Sequence, residues 1–226
     1  MKIGIIGGGG VGQAIGGKLK ANGHDVMIGI RNPSDVELAK ERQMAKPLKD
    51  WIKDTGGKVS SFADAAKHGE ILINATSGGV SIEALTQAGA TNIGSKILID
   101  LANPLDFSKG MPPSLLPQYD HGTSLGEEIQ KAFPNAKVVK TLNTISNTIM
   151  INPAAIAGDH DLLMAGNDAD AKATVTALVK KEFGWTSIVD LGDITGARGS
   201  EHILPIWIRL WGILGTPAFN IKVVKG

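Results

Sequence analysis

Near the amino terminus, Gly7-Gly8-Gly9-Gly10-Val11-Gly12 has the composition and spacing to hold a phosphate group, with G-x-G-x-x-G at Gly7, Gly9 and Gly12. In that pattern the first glycine allows a tight turn out of a strand. The second lets the backbone approach a pyrophosphate, and the third lets the following helix pack closely. Free N–H groups of the helix's first turn then face the anion, assisted by the helix dipole. The loop can do this only between a strand and a helix. Lys2–Ile6 is an apolar run suited to a strand buried on both faces. Gln13–Ala21 is helical in pattern and stopped by Asn22-Gly23, and Asp25–Ile30 reads as a second strand. Strand, glycines, helix and strand in this order predict a dinucleotide site, with Gly7, Gly9, Gly10, Val11 and Gly12 as contacts. A glycine-rich turn that binds nothing is the weaker reading.

The end of the second strand bears on which dinucleotide. An NAD site usually places Asp or Glu about 20 residues after the glycines, to accept from the ribose 2′-hydroxyl. Here the chain reads Ile28-Gly29-Ile30-Arg31-Asn32-Pro33-Ser34, with no carboxylate. Arg31 can pair with a 2′-phosphate and lie against adenine, and Asn32 and Ser34 can add hydrogen bonds. NADP(H) is therefore favoured over NAD(H). The competing readings are a solvated cation for Arg31 and a helix N-cap for Ser34, completed by Glu37.

These residues need a scaffold. After a helical region over Asp35–Thr55, interrupted or kinked near Pro47, apolar strands and helices alternate. Strands are predicted at Lys58–Ser61, Glu70–Ala75, Lys96–Leu101, Ala136–Lys140, Asp161–Ala165 and Thr186–Leu191. Helices are predicted at Phe62–His68, Ser81–Ala88, Ser124–Phe133, Ser146–Met150, Ala169–Phe183 and Ser200–Leu214, with a short apolar end at Phe219–Val224. The fold class is α/β: a Rossmann-type doubly wound parallel sheet with a short C-terminal helical extension. Ligands in such sheets lie outside the carboxyl ends of the strands. Ala75, Thr76 and Ser77 after one strand, Asn103 and Pro104 after another, and Asn143 and Thr144 after a third are small or polar there. Thr76, Ser77 and Asn103 are expected near the ribose and nicotinamide, although such residues end many strands. The four-proline segment from Asn103 to His121 is long enough to be a functional loop.

Composition narrows the partners. In 226 residues, 23 basic and 22 acidic side chains nearly cancel, and neither sign forms a block, which argues against nucleic acid or a membrane surface as partner. There is no cysteine, so disulfides and thiolate chemistry are excluded and a reducing, cytoplasmic setting is expected. Met1–Gly12 is too glycine-rich for a signal-peptide core. Ile203–Leu214 is too short to cross a bilayer. The five histidines are scattered without metal-ligand spacing, so no metal is expected, and His160 between two aspartates reads as a solvated loop. Gly122-Thr123-Ser124-Leu125-Gly126 matches G-x-S-x-G, but no strand precedes it, and Ser124 with Glu127 reads better as a capping box. Glu201-His202 could line a pocket or simply form a polar helical turn. Trp207 and Trp211 share a helical face and are read as core or dimer interface ahead of an acceptor-stacking platform.

The runs GIIGGGGVGQAIG, IGIRNP, LIDLANPL, VVKTLNTIS and the tail from Glu201 to Val224 together resemble the F420-dependent NADP oxidoreductase family. They are similar also to the oxidoreductase domain of the six-transmembrane metalloreductases. The resemblance implies hydride exchange between NADP(H) and a flavin or deazaflavin: FMN, FAD or F420. No acid–base residue is required, so no catalytic residue is expected beyond positioning. It places Arg31 and Ser34 at the 2′-phosphate, and Asn143, Thr144 and Ser146 beside the nicotinamide and acceptor. It implies a dinucleotide-binding domain over 1–192 and a small extension over 193–226 that completes the acceptor pocket and joins a homodimer. Deazaflavin reductases of the family carry His at the position of Asn143, whereas the metalloreductase domains carry Asn, which leaves the acceptor open. A small NADP-dependent dehydrogenase or imine reductase, and a non-catalytic NADP(H)-sensing module, are the alternatives.

Overall fold

The computed structural model describes residues 1–42 and 45–226. The chain opens with β1 (Lys2–Ile6), α1 (Gly10–Ala21) and β2 (Asp25–Ile30), followed by α2 (Asp35–Ala39), α3 (Leu48–Thr55), β3 (Lys58–Ser61), α4 (Phe62–His68) and β4 (Ile71–Asn74). It continues through α5 (Ser81–Ala88), α6 (Ala90–Ile93), β5 (Ile97–Asp100), the short pair β6 (Leu105–Asp106) and β7 (Ser114–Leu115), and α7 (Leu125–Ala132). Next come β8 (Lys137–Thr141), α8 (Asn147–Met150), β9 (Leu162–Gly166), α9 (Ala169–Phe183), β10 (Ile188–Asp190), α10 (Ala197–His202) and α11 (Leu204–Leu214).

Among the described residues, eight strands form a sheet in the order β10-β9-β8-β5-β4-β1-β2-β3. The central strands are apolar at consecutive positions because helices cover both faces. Ile3 and Ile5 of β1 pack with Ile15 and Leu19 of α1, while Ile6 joins Phe62 and Ala65 of α4 on the other face. Registers such as Ile5 opposite both Ile28 and Ile73, and Leu98 opposite Val138, bring the carboxyl ends of β1, β2, β4, β5 and β8 to one edge.

The sheet departs from the predicted parallel form at one end. β9 runs antiparallel to β8, and β10 follows β9. A parallel neighbour needs a crossover, usually a helix. Between β8 and β9 the chain forms only α8 and a single turn at Pro153–Ala155, so β9 runs back. The fifteen-residue α9 does cross over, and β10 is parallel to β9.

Two predicted helical regions form two pieces each, the first with the interruption expected near Pro47 and the second with a break that was not expected. The stretch 35–55 forms α2 and α3, with Pro47 at the α3 N-cap. Gln43 and Met44, inside that predicted helix, lie outside the described residues. The helix predicted over Ser200–Leu214 breaks at Ile203, between α10 and α11. Pro205 has no N–H to give the carbonyl of Glu201, and its ring crowds that carbonyl. Beyond α11, the tail is tied back to the start of β9: the Asp161 N–H donates to the Ile221 carbonyl at 2.9 Å, and the Val223 N–H donates to the Asp161 carboxylate at 2.6 Å. Among the described residues, no helix is long and apolar enough to cross a membrane.

Candidate functional site

The glycine loop leaves β1 with Gly7 at φ +119°, where a Cβ would stand 2.6 Å from the Ala75 carbonyl oxygen. Only glycine fits both that dihedral and that approach. Gly12 has its own demand, since a Cβ would overlap the Gly7 carbonyl as α1 packs against the turn. Gly9, the N-cap of α1, is different. Among the described residues, no atom beyond its chain neighbours lies within 4 Å of where its Cβ would be. Nothing among the described residues requires glycine there, so the space beside the first turn of α1 is a cradle that a side chain would fill. That is what a dinucleotide pyrophosphate needs.

From the end of β2, a cleft of about 350 Å³ is lined by Gly7, Gly8, Ile30, Arg31, Asn32, Glu37, Lys40, Arg42 and Phe62. Lys40 and Arg42 add two cations that the local strand-end pattern did not reveal, because they follow α2 rather than β2. Glu37 is held at 2.9 Å by Arg42 and at 3.7 Å by Lys40. Arg31 is exposed and pairs with Glu83 of α5 at 3.2 Å. Ser34 lies outside this lining, and its hydroxyl accepts from the Glu37 N–H as the N-cap of α2.

The ends of β4, β5 and β8 form a buried polar network. Asn74 donates to Asp100 at 2.8 Å, and its carbonyl oxygen accepts from the Thr76 hydroxyl at 2.7 Å, which also meets Ser81. Ser77 offers its carbonyl to Ser81. Asp100 and Glu201 each hold the Nζ of Lys140 at 2.9 Å, and Lys140 donates also to the Ala102 carbonyl. Burial alone would push the Lys140 ammonium down; the two carboxylates outweigh it and hold it above its ordinary value. Glu201 further accepts the Leu125 and Gly126 N–H groups at the start of α7, where the helix dipole favours an anion. Glu201 is thus a buried ion-pair partner rather than a polar surface turn. No local pattern could have paired it with residues 100 and 140.

Leu142, with φ +62°, turns the chain after β8. A non-glycine residue in this region costs about 1–3 kcal/mol and persists only where its surroundings hold it. The turn sets Asn143 against Asn103: Asn143 Nδ2 donates to Asn103 Oδ1 at 2.9 Å, and Asn103 Nδ2 donates to the Asn143 carbonyl at 2.7 Å. Asn143 Nδ2 also donates to the Ser200 carbonyl. Thr144 is buried beside it, and Ser146 opens α8. The Pro104 carbonyl accepts from the Leu116 N–H, securing the proline-rich loop.

A second cleft, of about 380 Å³, lies where these ends meet α1 and the C-terminal helix. Its lining includes Gly10, Val11, Asn103, Asn143, Ser146, Trp207 and Trp211. The two tryptophans therefore wall a cleft, which the core-or-interface reading did not anticipate; Trp207 also stacks on Phe219. Of the sequence-predicted residues, Gly10, Val11, Asn103, Asn143 and Ser146 meet here. Gly7, Arg31 and Asn32 meet in the first cleft. Ala75, Thr76, Ser77, Pro104 and Thr144 belong to the strand-end framework between them. His160 lies in a loop, as read, but is half-buried there: its ring bonds the Pro153 carbonyl and Asn220 and stands nearly perpendicular to Trp185.

Comparison with known proteins gives this geometry a family. Residues 2–104 match the family model for coenzyme F420-dependent NADP oxidoreductases. A candidate F420-dependent NADP reductase from Arthrobacter sp. FB24 is 50% identical, with full coverage of both chains and a TM-score of 0.93. The metalloreductase STEAP3 of Rattus norvegicus is 26% identical over 91% of this chain, which spans 38% of that protein's length. An imine reductase from Myxococcus stipitatus in complex with NADP+ shares the fold, at 16% identity and a TM-score of 0.62 over 95% of this chain and 63% of its own. By its half-identity across a full-length relative, the chain belongs to the F420-dependent NADP oxidoreductase family.

Proposed function

We propose that this protein is an NADPH-dependent oxidoreductase that passes hydride directly to a flavin or deazaflavin acceptor: F420, FMN or FAD. The observation that carries the reading is the second cleft, where the first turn of α1 and an aromatic wall from α11 line one space. NADPH would supply the hydride. The protein's own task is to bind, orient and exclude water.

Residue roles follow from position. The first turn of α1, with Gly9 leaving room, receives the pyrophosphate. Arg31, with Asn32, Lys40 and Arg42, receives the 2′-phosphate, and Ser34 contributes chiefly by ordering α2. Ala75, Thr76, Ser77, Asn103 and Pro104 form the wall beside the ribose and nicotinamide. Asn143, Thr144 and Ser146 position the acceptor side. Residues 1–192 act as the NADP-binding domain, and residues 193–226 complete the acceptor cleft. Exposed Ile206, Ile213 and Leu214 on α11 are the surface through which two copies associate as a homodimer. A chain without cysteine suits the reducing cytoplasm.

The test is NADPH oxidation by the purified protein with F420, FMN, FAD and a buffer blank offered in parallel. Turnover well above the blank with one acceptor is expected. Tight NADPH binding without reduction of any acceptor would leave a sensor of NADP(H), and the reductase reading would fall.

A further inference from the structure

The first cleft already holds an anion of the chain's own. The Glu37 carboxylate lies on its lining and meets a different cation at each oxygen: Arg42 Nη2 donates to Oε1 at 2.9 Å, and Lys40 Nζ stands 3.7 Å from Oε2. Two side chains that meet the two oxygens of one carboxylate can converge on a single small anion. All three are reachable from solvent, with Lys40 66%, Glu37 31% and Arg42 20% exposed.

Glu37 is fixed through its backbone as well. Its N–H donates to the Ser34 hydroxyl at 3.4 Å, and its carbonyl accepts from the Lys40 N–H at 3.4 Å and from Arg42 Nη2 at 3.2 Å. Arg42 Nη2 is thus committed to Glu37 twice. Arg31 differs. Its carboxylate partner, Glu83, stands outside the lining, and both side chains of that pair are more than half exposed. Solvent and salt screen such a pair strongly, and screen the half-buried pair of Glu37 and Arg42 less.

A phosphate monoester carries a charge of about −1.5 to −2 at neutral pH and three acceptor oxygens, so it outbids a carboxylate for the same donors. We propose that Glu37 is a resident counter-anion, which the 2′-phosphate of NADP(H) displaces from Lys40 and Arg42, so that this carboxylate limits how tightly the cofactor is held. The inference rests on the reading of the first cleft as the 2′-phosphate site. A nucleotide with a 2′-hydroxyl carries no charge to draw either cation away and is indifferent to Glu37.

The experiment is equilibrium binding of NADPH and NADH to the full chain, followed by nicotinamide fluorescence. Glu37→Gln keeps the side chain's shape and the backbone bonds of α2, so its thermal unfolding should match the wild type. It should bind NADPH about fivefold or more tighter, with NADH within about twofold of wild type. Displacement from Arg42 further requires that the gain largely disappear when Glu37→Gln is made together with Arg42→Gln and compared with Arg42→Gln alone. A gain of the same size without Arg42 would mean long-range charge rather than displacement, and would overturn the inference. So would equal tightening of both nucleotides, or Glu37→Gln binding NADPH no tighter than wild type; in either case a wild type that prefers NADPH leaves the 2′-phosphate reading standing. A wild type that binds NADPH and NADH alike would sink that reading, and the counter-anion with it.

Discussion

Arg31 takes the place where an NAD-binding chain would put a carboxylate, and its guanidinium is exposed apart from a pair with Glu83. Exposed ion pairs contribute about 0–1 kcal/mol, so its removal should leave folding almost unchanged while removing a charge-assisted bond to a 2′-phosphate. Arg31→Ala is expected to weaken NADPH roughly 10- to 100-fold and NADH about twofold at most. Titration of the variant with both nucleotides checks this; equal losses would count against the 2′-phosphate role. This part of the site was legible because glycines, strand and strand end are contiguous in sequence. Lys40, Arg42 and Trp207 were harder to place, since each reaches a cleft only through the course of a later helix.

Between elements, Lys140 is the fastening. It lies on β8 and holds Asp100 of β5 and Glu201 of α10, whose carboxylate also caps α7. Breaking a buried pair from one side strands the remaining charge, so Lys140→Met is expected to cost about 3–5 kcal/mol, measured by chemical denaturation. A variant as stable as the wild type would remove the fastening role. Asp161 secures the C-terminal tail. Burial raises its carboxyl, but the Ser187 hydroxyl, the Val223 N–H and the Lys222 ammonium together hold it below its ordinary 3.8. A carboxyl with a depressed folded value contributes stability above the unfolded value, and loses that contribution as pH falls through the folded one. The difference in unfolding free energy between wild type and Asp161→Asn should be about 1–3 kcal/mol at pH 7 and shrink below pH 4. A difference independent of pH would contradict the assignment. The sequence pattern revealed which segments were strands and helices because burial on two faces leaves near-continuous apolar runs. It did not reveal the reversal of β9, which depends on where the connection after Thr141 goes. Nor did it reveal the break at Ile203, which a proline one turn into an apolar run imposes.

For the whole molecule, the sheet order places α1, the ends of β5 and β8, and α11 around one cleft. The exposed apolar side of α11 leaves a surface that a second copy would cover. Sedimentation should therefore show a dimer, and replacing Ile213 and Leu214 together with Asp should shift it to monomer. A monomeric wild type would rule the dimer out. The proposed direct hydride transfer in the second cleft is tested by acceptor reduction in a single turnover with NADPH deuterated at one or the other face of nicotinamide C4. A fixed cleft presents one face to the acceptor, so one epimer should show a primary isotope effect and the other should not. Acceptor reduction insensitive to both, or tight NADPH binding with no reduction, would contradict it.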